Sequence, residues 1–446
     1  MSDYDFLIIG AGTGGMAAAK KAAEYGAKVA IIEKEKVGGT CLNRGCTPKK
    51  LMVYAADFAL KESLAASYGW QECHRKIDWS LLMQKIHQRL DTISNSFKET
   101  FQEKGIDLIY GEAQFCDRQT VEVKDRKISA DKILIAVGGH PIKPDFPGKD
   151  LAITSRRMFQ LDKIPAKIAI VGGGYIGVEF ASMMNAFGSE VVLMDTSKLI
   201  LSGFDRDLQE TVQQGLIDRG IKFISETTAE KITQAEDKLE LHLSNEKTIL
   251  ADKVLLATGR APNTKSLNLE KAGVETGEKG EIKVDEYCRT STPHIYAVGD
   301  CIDRVPLTPV AKAEALAVVA TLYGKQHQLD YTHVTSAVFA RPEAATVGMS
   351  EAQAKEKYGN EVRCYCDRAT PMLYSLADDE EQEKVLIKLI VMGEDEKIIG
   401  AHMVGEHAAD IIQCLGVAIR KGITKQELDS SFGIHPTVGE EWLSMY

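Results

Sequence analysis

The chain has 446 residues, 44% hydrophobic and 26% charged, with a formal net charge of −10. That length favours two to four domains with substantial cores. An acidic balance with scattered Lys and Arg argues against a nucleic-acid or anionic-membrane partner. No apolar run is long enough to cross a bilayer. The opening MSDYDFLIIGAG carries Asp3 and Asp5 and does not read as a signal peptide. Nine cysteines, an odd count mostly in apolar or amphipathic stretches, suit a reducing cytoplasm better than a secreted disulfide framework.

DFLIIGAGTGGMAAAKKAAEYGAKVAIIEKE reads strand, glycine turn, alanine-rich helix, strand. The run Phe6–Ile9 is too short for a helix and fits a buried parallel strand. In the turn, Gly10 permits the bend, Gly12 lets backbone approach a pyrophosphate, and Gly15 lets helix and strand pack closely. The helix then points its N–H groups at the phosphates. Glu33 closes the second strand, where a carboxylate can accept ribose hydroxyls.

GGTCLNRGCTPKK follows at 38–50, with four residues between Cys41 and Cys46. A zinc site needs four suitably spaced ligands; the nearest other cysteine is Cys73, and Cys364 and Cys366 are hundreds of residues away. A structural disulfide is disfavoured by the compartment. A redox pair explains more, because the cysteines follow Glu33 closely and so lie near the first dinucleotide. From Cys46 through Tyr54 and Phe58 the apolar residues have helical spacing. A helix starting near Pro48 would stabilise a thiolate at its N-terminus, with Lys49 adding positive charge. Arg44, between the cysteines, has no evident role. Residues 60–105 read as an amphipathic helical excursion.

KIAIVGGGYIGVEFASMMNAFGSEVVLMDTSK repeats the dinucleotide pattern, with Gly172, Gly174 and Gly177 in the turn and Asp195 as the acid. A 2′-phosphate would bring like charge against Asp195, and enzymes that use it usually place Arg nearby. The following TSKLILSGFD offers only Lys198, so NADH is expected over NADPH. Beyond residue 331, strands (VTSAVFARP, KVLIKLIVMG) and the helix HAADIIQCLGVAIRKG make an α+β domain. The acidic DDEEQEK at 378–384 reads as a solvated loop.

G-G-T-C-L-N-R-G-C-T-P resembles the active site of the flavin-dependent pyridine nucleotide–disulfide oxidoreductases. The likeness extends over nearly the whole chain: ILIAVGG, LLATGRAPN, TSTPHIYAVGDC, LTPVA and GIHPTVGEEW follow in the family's order. It implies an α/β fold with two Rossmann-like dinucleotide-binding domains, for FAD and NAD(P), and a C-terminal α+β dimerisation domain. The expected boundaries are 1–148 for the first part of the FAD domain, 149–268 for the nucleotide domain, 269–330 for the flavin-completing part and 331–446 for dimerisation.

The resemblance also implies roles. FAD would be held at Gly10, Gly12, Gly15 and Glu33, with Gly39, Thr40, Ala113, Gly138, Asp300 and Thr308. The nicotinamide nucleotide would be held at Gly172, Gly174, Gly177 and Asp195, with Tyr175; Gly259 and Arg260 would also contact a cofactor. Hydride would pass from nicotinamide to flavin, and electrons onward to the Cys41–Cys46 disulfide. Cys41 would attack substrate and Cys46 would face the flavin. Lys49 and Glu179 would pair beside it, and Tyr175 would cover the nicotinamide pocket. His435, held by Glu440, would shuttle the proton across a homodimer to the partner's cysteines. A general base of this kind needs a poised imidazole oriented by a carboxylate.

The implied activity is reduction of a small disulfide or polysulfide, as in the glutathione-reductase-like members, and the runner-up is dihydrolipoamide dehydrogenase. Mercuric reduction is less expected, because the chain keeps His435 and lacks a terminal cysteine pair. A non-enzymatic flavoprotein scaffold is least expected. Where glutathione reductases place arginines for substrate carboxylates, this chain aligns Lys20 and Leu316. Ser94 aligns with a channel tyrosine.

Overall fold

The computed structural model describes residues 2–71, 76–324, 326–378, 382–443 and 445. Cys73 and residues 379–381 of the acidic run lie outside them. The chain forms two compact units. The first joins Met1–Leu51, Ser80–Ile142 and Gly259–Asp330; the second joins Met52–Trp79, Lys143–Thr258 and Tyr331–Tyr446. No helix among the described residues is long and apolar enough to cross a membrane.

The first unit is built on a seven-stranded sheet. Its parallel part runs Asp107–Tyr110, Val29–Glu33, Tyr4–Ile9, Arg126–Ile135 and Ile295–Ala297, with Thr120–Val123 and Ala113–Phe115 added antiparallel. Phe6, Leu7 and Ile8 are fully buried, which is why this strand reads as an unbroken apolar run. Tyr4–Ile9 is flanked by Val29–Glu33 on one side and Arg126–Ile135 on the other. The strand order therefore reverses beside its carboxyl end, where α/β sheets open a ligand crevice.

Small residues bring the helices together over this sheet. Ala18, Ala19 and Ala22 of Thr13–Glu24 share a core with Ala315, Val318 and Val319 of Thr308–Tyr323. A Cβ on Gly14 would lie 3.1 Å from the Ala311 carbonyl oxygen.

The second unit repeats the plan. Its parallel sheet runs Lys222–Ile224, Glu190–Met194, Lys167–Val171, Lys253–Leu256 and Ile153–Thr154. A second sheet, antiparallel throughout, runs Ser336–Val338, Ala344–Gly348, Lys397–Val404, Val385–Met392 and Val362–Ala369. Ile412 and Ile419 of the helix Ala408–Lys421 pack on it with Ile387 and Met403.

One local expectation changes. The helix after the second cysteine spans Cys46–Ser67, two residues earlier than Pro48. Tyr54 and Phe58, which carried its apolar spacing, are 52% and 78% exposed, while Met52, Val53 and Ala56 are buried.

A Cβ on Gly15 would stand 1.9 Å from the Gly10 oxygen, whereas one on Gly26 meets nothing within 4 Å but sits at φ +82°. Gly15→Ala is thus overpacked against backbone, at a cost of about 3 kcal/mol or more; Gly26→Ala carries only left-handed strain of about 1–2 kcal/mol. Thermal melting should place Gly15→Ala below Gly26→Ala. The reverse order would remove close approach as the constraint on this turn.

Candidate active site

Gly12 caps the helix Thr13–Glu24 without any side-chain hydrogen bond, so the first-turn N–H groups are left for a ligand. Glu33, 8% exposed, is fixed at the next strand end. Its carboxylate accepts from the Ala11 and Glu35 N–H groups, each at 2.8 Å. The helix terminus, the glycine turn and the carboxylate are the donor and acceptor set that a dinucleotide's pyrophosphate and ribose require, so the residues fit FAD.

The redox segment is built directly onto that turn. Gly38 and Gly39 take φ +109° and +59°. Gly38 N–H donates to Ala11 O at 2.8 Å, and a Cβ on Gly39 would lie 2.7 Å from the Gly12 Cα. The short helix Gly39–Arg44 then carries Thr40 and Cys41. Between the cysteines, the Asn43 amide donates to the carbonyls of Lys36, Val37 and Gly39. Arg44, unexplained from sequence, pairs with Glu35. Ser94 does not behave as a channel residue. It is 3% exposed, and its hydroxyl donates to Val37 O at 2.9 Å.

Cys41 and Cys46 are free thiols in hydrogen-bond contact. Cys46 starts the helix Cys46–Ser67, and its Sγ lies 3.4 Å from the Thr308 Oγ1. The Cys41 hydrogen bond pulls the Cys46 thiol down to about 6; burial opposes this, while Thr308 and the Lys49 charge assist. Cys41 moves the other way, raised by the same hydrogen bond, then by burial and by the Cys46 charge. The pair therefore carries one proton on Cys41 and one negative charge on Cys46 near neutral pH.

Thr308 itself opens the helix Thr308–Tyr323, with Pro309 in its first turn. Below it, buried Glu314 accepts from Gly299 N–H at 2.7 Å and holds the turn that presents Asp300. Asp300 is paired to Arg260 at 2.8 Å, and Arg260 also donates to Gly139 O at 3.1 Å. Arg260, expected to bind a cofactor, lies in the first unit beside Asp300. Gly138 and Gly259 take positive φ, and Ala113 starts the strand Ala113–Phe115. Lys20 lies over the Phe97 ring, and burial together with the Lys104 and Lys312 charges lowers its pKa. Leu316 is half-buried on the Thr308–Tyr323 helix.

The second unit holds the other expected residues. Gly172 takes φ +110°, Gly174 caps Tyr175–Ala186 without a side-chain bond, and a Cβ on Gly177 would meet Gly172 O at 1.9 Å. Asp195 accepts from Gly173 and Ser197 N–H groups at 2.6 and 2.7 Å, as Glu33 does in the first turn. Tyr175 is 42% exposed. Glu179 is buried and accepts from Phe339 N–H at 2.8 Å, a contact the sequence did not signal. His435 Nδ1 meets Glu440 Oε1 at 2.9 Å, and the same oxygen accepts from Thr437 N–H at 3.1 Å. Its neighbours Phe432 and Ile434 are 100% and 77% exposed.

Comparison with known proteins bears on both units. Residues 4–315 match the family described as pyridine nucleotide-disulphide oxidoreductase. Residues 334–446 match that family's dimerisation domain. The chain is 44% identical to a glutathione reductase of Nostoc sp., with 99% of both chains covered. It is 40% identical to a glutathione reductase of Burkholderia cepacia, over 99% of this chain and 98% of that one. A chloroplastic/mitochondrial glutathione reductase of Pisum sativum is also 40% identical, over 99% of this chain and 82% of that one.

Thiolate absorbance of the reduced protein, with Cys46→Ser as blank, should titrate with a midpoint of about 6. Thr308→Val should raise that midpoint, because a donor to the thiolate is lost. An ordinary thiol midpoint of roughly 8.5 in the unsubstituted protein would contradict the assignment of charge to Cys46.

Proposed function

We infer that this chain, which belongs to the pyridine nucleotide-disulphide oxidoreductase family, reduces oxidised glutathione or a closely related small disulfide. FAD and a pyridine nucleotide serve it as cofactors, and the active form is a homodimer in a reducing cytoplasm. The observation that carries this reading is the asymmetric Cys41–Cys46 pair, built against the first glycine turn of a chain that resembles glutathione reductases over its full length. Lys20 and Leu316 stand where glutathione reductases place arginines, so an anionic disulfide would lose charge-assisted contacts there, each worth about 1.5–3 kcal/mol.

Bound FAD supplies the two-electron relay between the nicotinamide and the cysteine disulfide. The protein groups do the rest. Cys46, held as thiolate by Cys41, Thr308 and Lys49, stores the negative charge after reduction. Cys41 keeps its proton and needs a base before it can attack. We assign that base to His435, whose Nδ1 is occupied by Glu440, leaving the other ring nitrogen for the thiol. The Cys41 thiolate attacks one substrate sulfur and forms a mixed disulfide, and the first product leaves as a thiol with the proton returned by His435. Cys46 then attacks the Cys41 sulfur. That releases the second product thiol, on taking up a solvent proton, and restores the Cys41–Cys46 disulfide.

We assign nucleotide choice to Asp195. Its carboxylate has one oxygen on Gly173 and one on Ser197, and each keeps a lone pair that suits free ribose hydroxyls and repels a 2′-phosphate. NADH should give the higher kcat/KM. A preference for NADPH of tenfold, about 1.4 kcal/mol, would overturn this part. A steady-state screen of both nucleotides against oxidised glutathione, its uncharged derivatives, lipoamide and Hg(II) tests the whole reading. Greater turnover with lipoamide would replace it.

His435→Ala should leave reduction of the cysteine pair by nucleotide nearly intact and slow disulfide turnover by roughly 10²–10⁴-fold. Inactive Cys41→Ser and His435→Ala chains should regain activity when mixed as heterodimers. Verified heterodimers without activity would rule out a site shared between subunits.

A further inference from the structure

Lys388 stands in the middle of the strand Val385–Met392 and is 2% exposed. A buried ammonium on a sheet is costly unless every proton finds an acceptor. Here it does. Asp205 Oδ1 lies at 2.9 Å, Asp207 Oδ2 at 2.6 Å and Glu351 Oε2 at 2.6 Å. Arg368 pairs with Asp207 at 3.3 Å, and Lys355 pairs with Glu351, so three carboxylates face three cations. His402, 1% exposed, lies 4.0 Å from Asp205, and burial lowers its pKa. A well-packed apolar side chain usually serves a core as well as a buried ion pair or better. The sheet alone does not account for this lysine.

What the lysine grips is informative. Asp205, 1% exposed, caps the helix Arg206–Asp218 by accepting from Asp207 N–H, and its other oxygen accepts from Glu351 N–H at 2.9 Å. Asp205 also ends the loop that begins at Asp195. That loop lies on the second glycine turn: Leu201 N–H donates to Gly173 O at 2.8 Å, and Gly173 N–H donates back to Asp195 at 2.6 Å. Ile200 and Leu201 are buried, and Gln209 and Gln213 of the capped helix bond Phe204 O and Ile200 N–H. The loop is therefore fastened at the glycine turn by one end and at the antiparallel sheet by the other.

We propose that Lys388 is a positioning residue for the pyridine nucleotide, fixing through Asp205 the loop that holds Asp195 against the second glycine turn. This rests on the reading of Asp195 as the ribose acceptor. Lys388 touches no substrate. Its effect travels through one cap and one short loop, so it should appear in nucleotide binding and leave the dithiol chemistry alone.

The test uses the FAD-loaded dimer and three variants. Lys388→Met with Asp205→Asn removes one cation and one anion while Asn still caps the helix. Glu351→Gln keeps a hydrogen bond but loses an anion. Asp195→Asn reports on the underlying reading. Dissociation constants for NADH and NADPH, kcat, and KM for nucleotide and for disulfide are measured for each. The double variant should raise the dissociation constant and KM of the preferred nucleotide by about fivefold or more, with kcat and disulfide KM within about twofold. Glu351→Gln should give a smaller rise of the same kind, and decides the matter if the double variant does not fold. Unchanged nucleotide binding in both, while Asp195→Asn weakens it, overturns the role of Lys388. A general loss, with kcat lowered and both nucleotide and disulfide KM raised in parallel alongside a lowered melting temperature, also overturns it, as a purely structural fastener. If Asp195→Asn leaves binding unchanged, the reading of Asp195 fails instead.

Discussion

Gly12 and Gly39 touch backbone to backbone, with a Cβ on Gly39 only 2.7 Å from the Gly12 Cα. Everything at the first site depends on that approach. It ties the redox helix Gly39–Arg44 to the turn where a dinucleotide's phosphates would lie, and Gly38 N–H to Ala11 O secures the same junction. No side chain fits between the two segments.

Charge on the dithiol, set first by the Cys41 hydrogen bond, is supported by a second, longer-range contact. The Thr308 hydroxyl reaches Cys46 across 262 residues of sequence. It arrives at the start of a helix whose alanine-rich face packs on the helix after the first glycine turn. One small-residue interface therefore positions both the N-terminus of Thr13–Glu24 and the donor that helps hold Cys46 ionised. The cost is that Cys41 retains its proton, which is why a separate base belongs in the mechanism.

Local pattern made much of this legible. Both glycine turns, both strand-end acids and the cysteine pair announce themselves through spacing alone, and the parallel strands through short apolar runs. Contacts between distant residues were not legible. Nothing around Ser94 signals that its hydroxyl is spent on Val37, and nothing in KVLIKLIVMG separates Lys388 from an edge-strand lysine facing water. Glu179 reads as the partner of Lys49 only through the family resemblance, and its bond from Phe339 N–H had no sequence signal. Tyr54 and Phe58 misled for the opposite reason. Their periodicity was real, but the buried face of the helix belongs to Met52, Val53 and Ala56.

The central claim is that negative charge in the reduced pair resides on Cys46, next to the cofactor, while Cys41 holds the proton. The most direct measurement is the long-wavelength absorbance of the FAD-loaded single-cysteine variants without any reductant. Cys41→Ser keeps a hydroxyl that can still donate to Cys46, so it should show the band of a thiolate lying against the flavin. Cys46→Ser should bind FAD and lack that band. A band in Cys46→Ser, or none in Cys41→Ser above pH 6, the approximate value at which Cys46 ionises, would contradict the account.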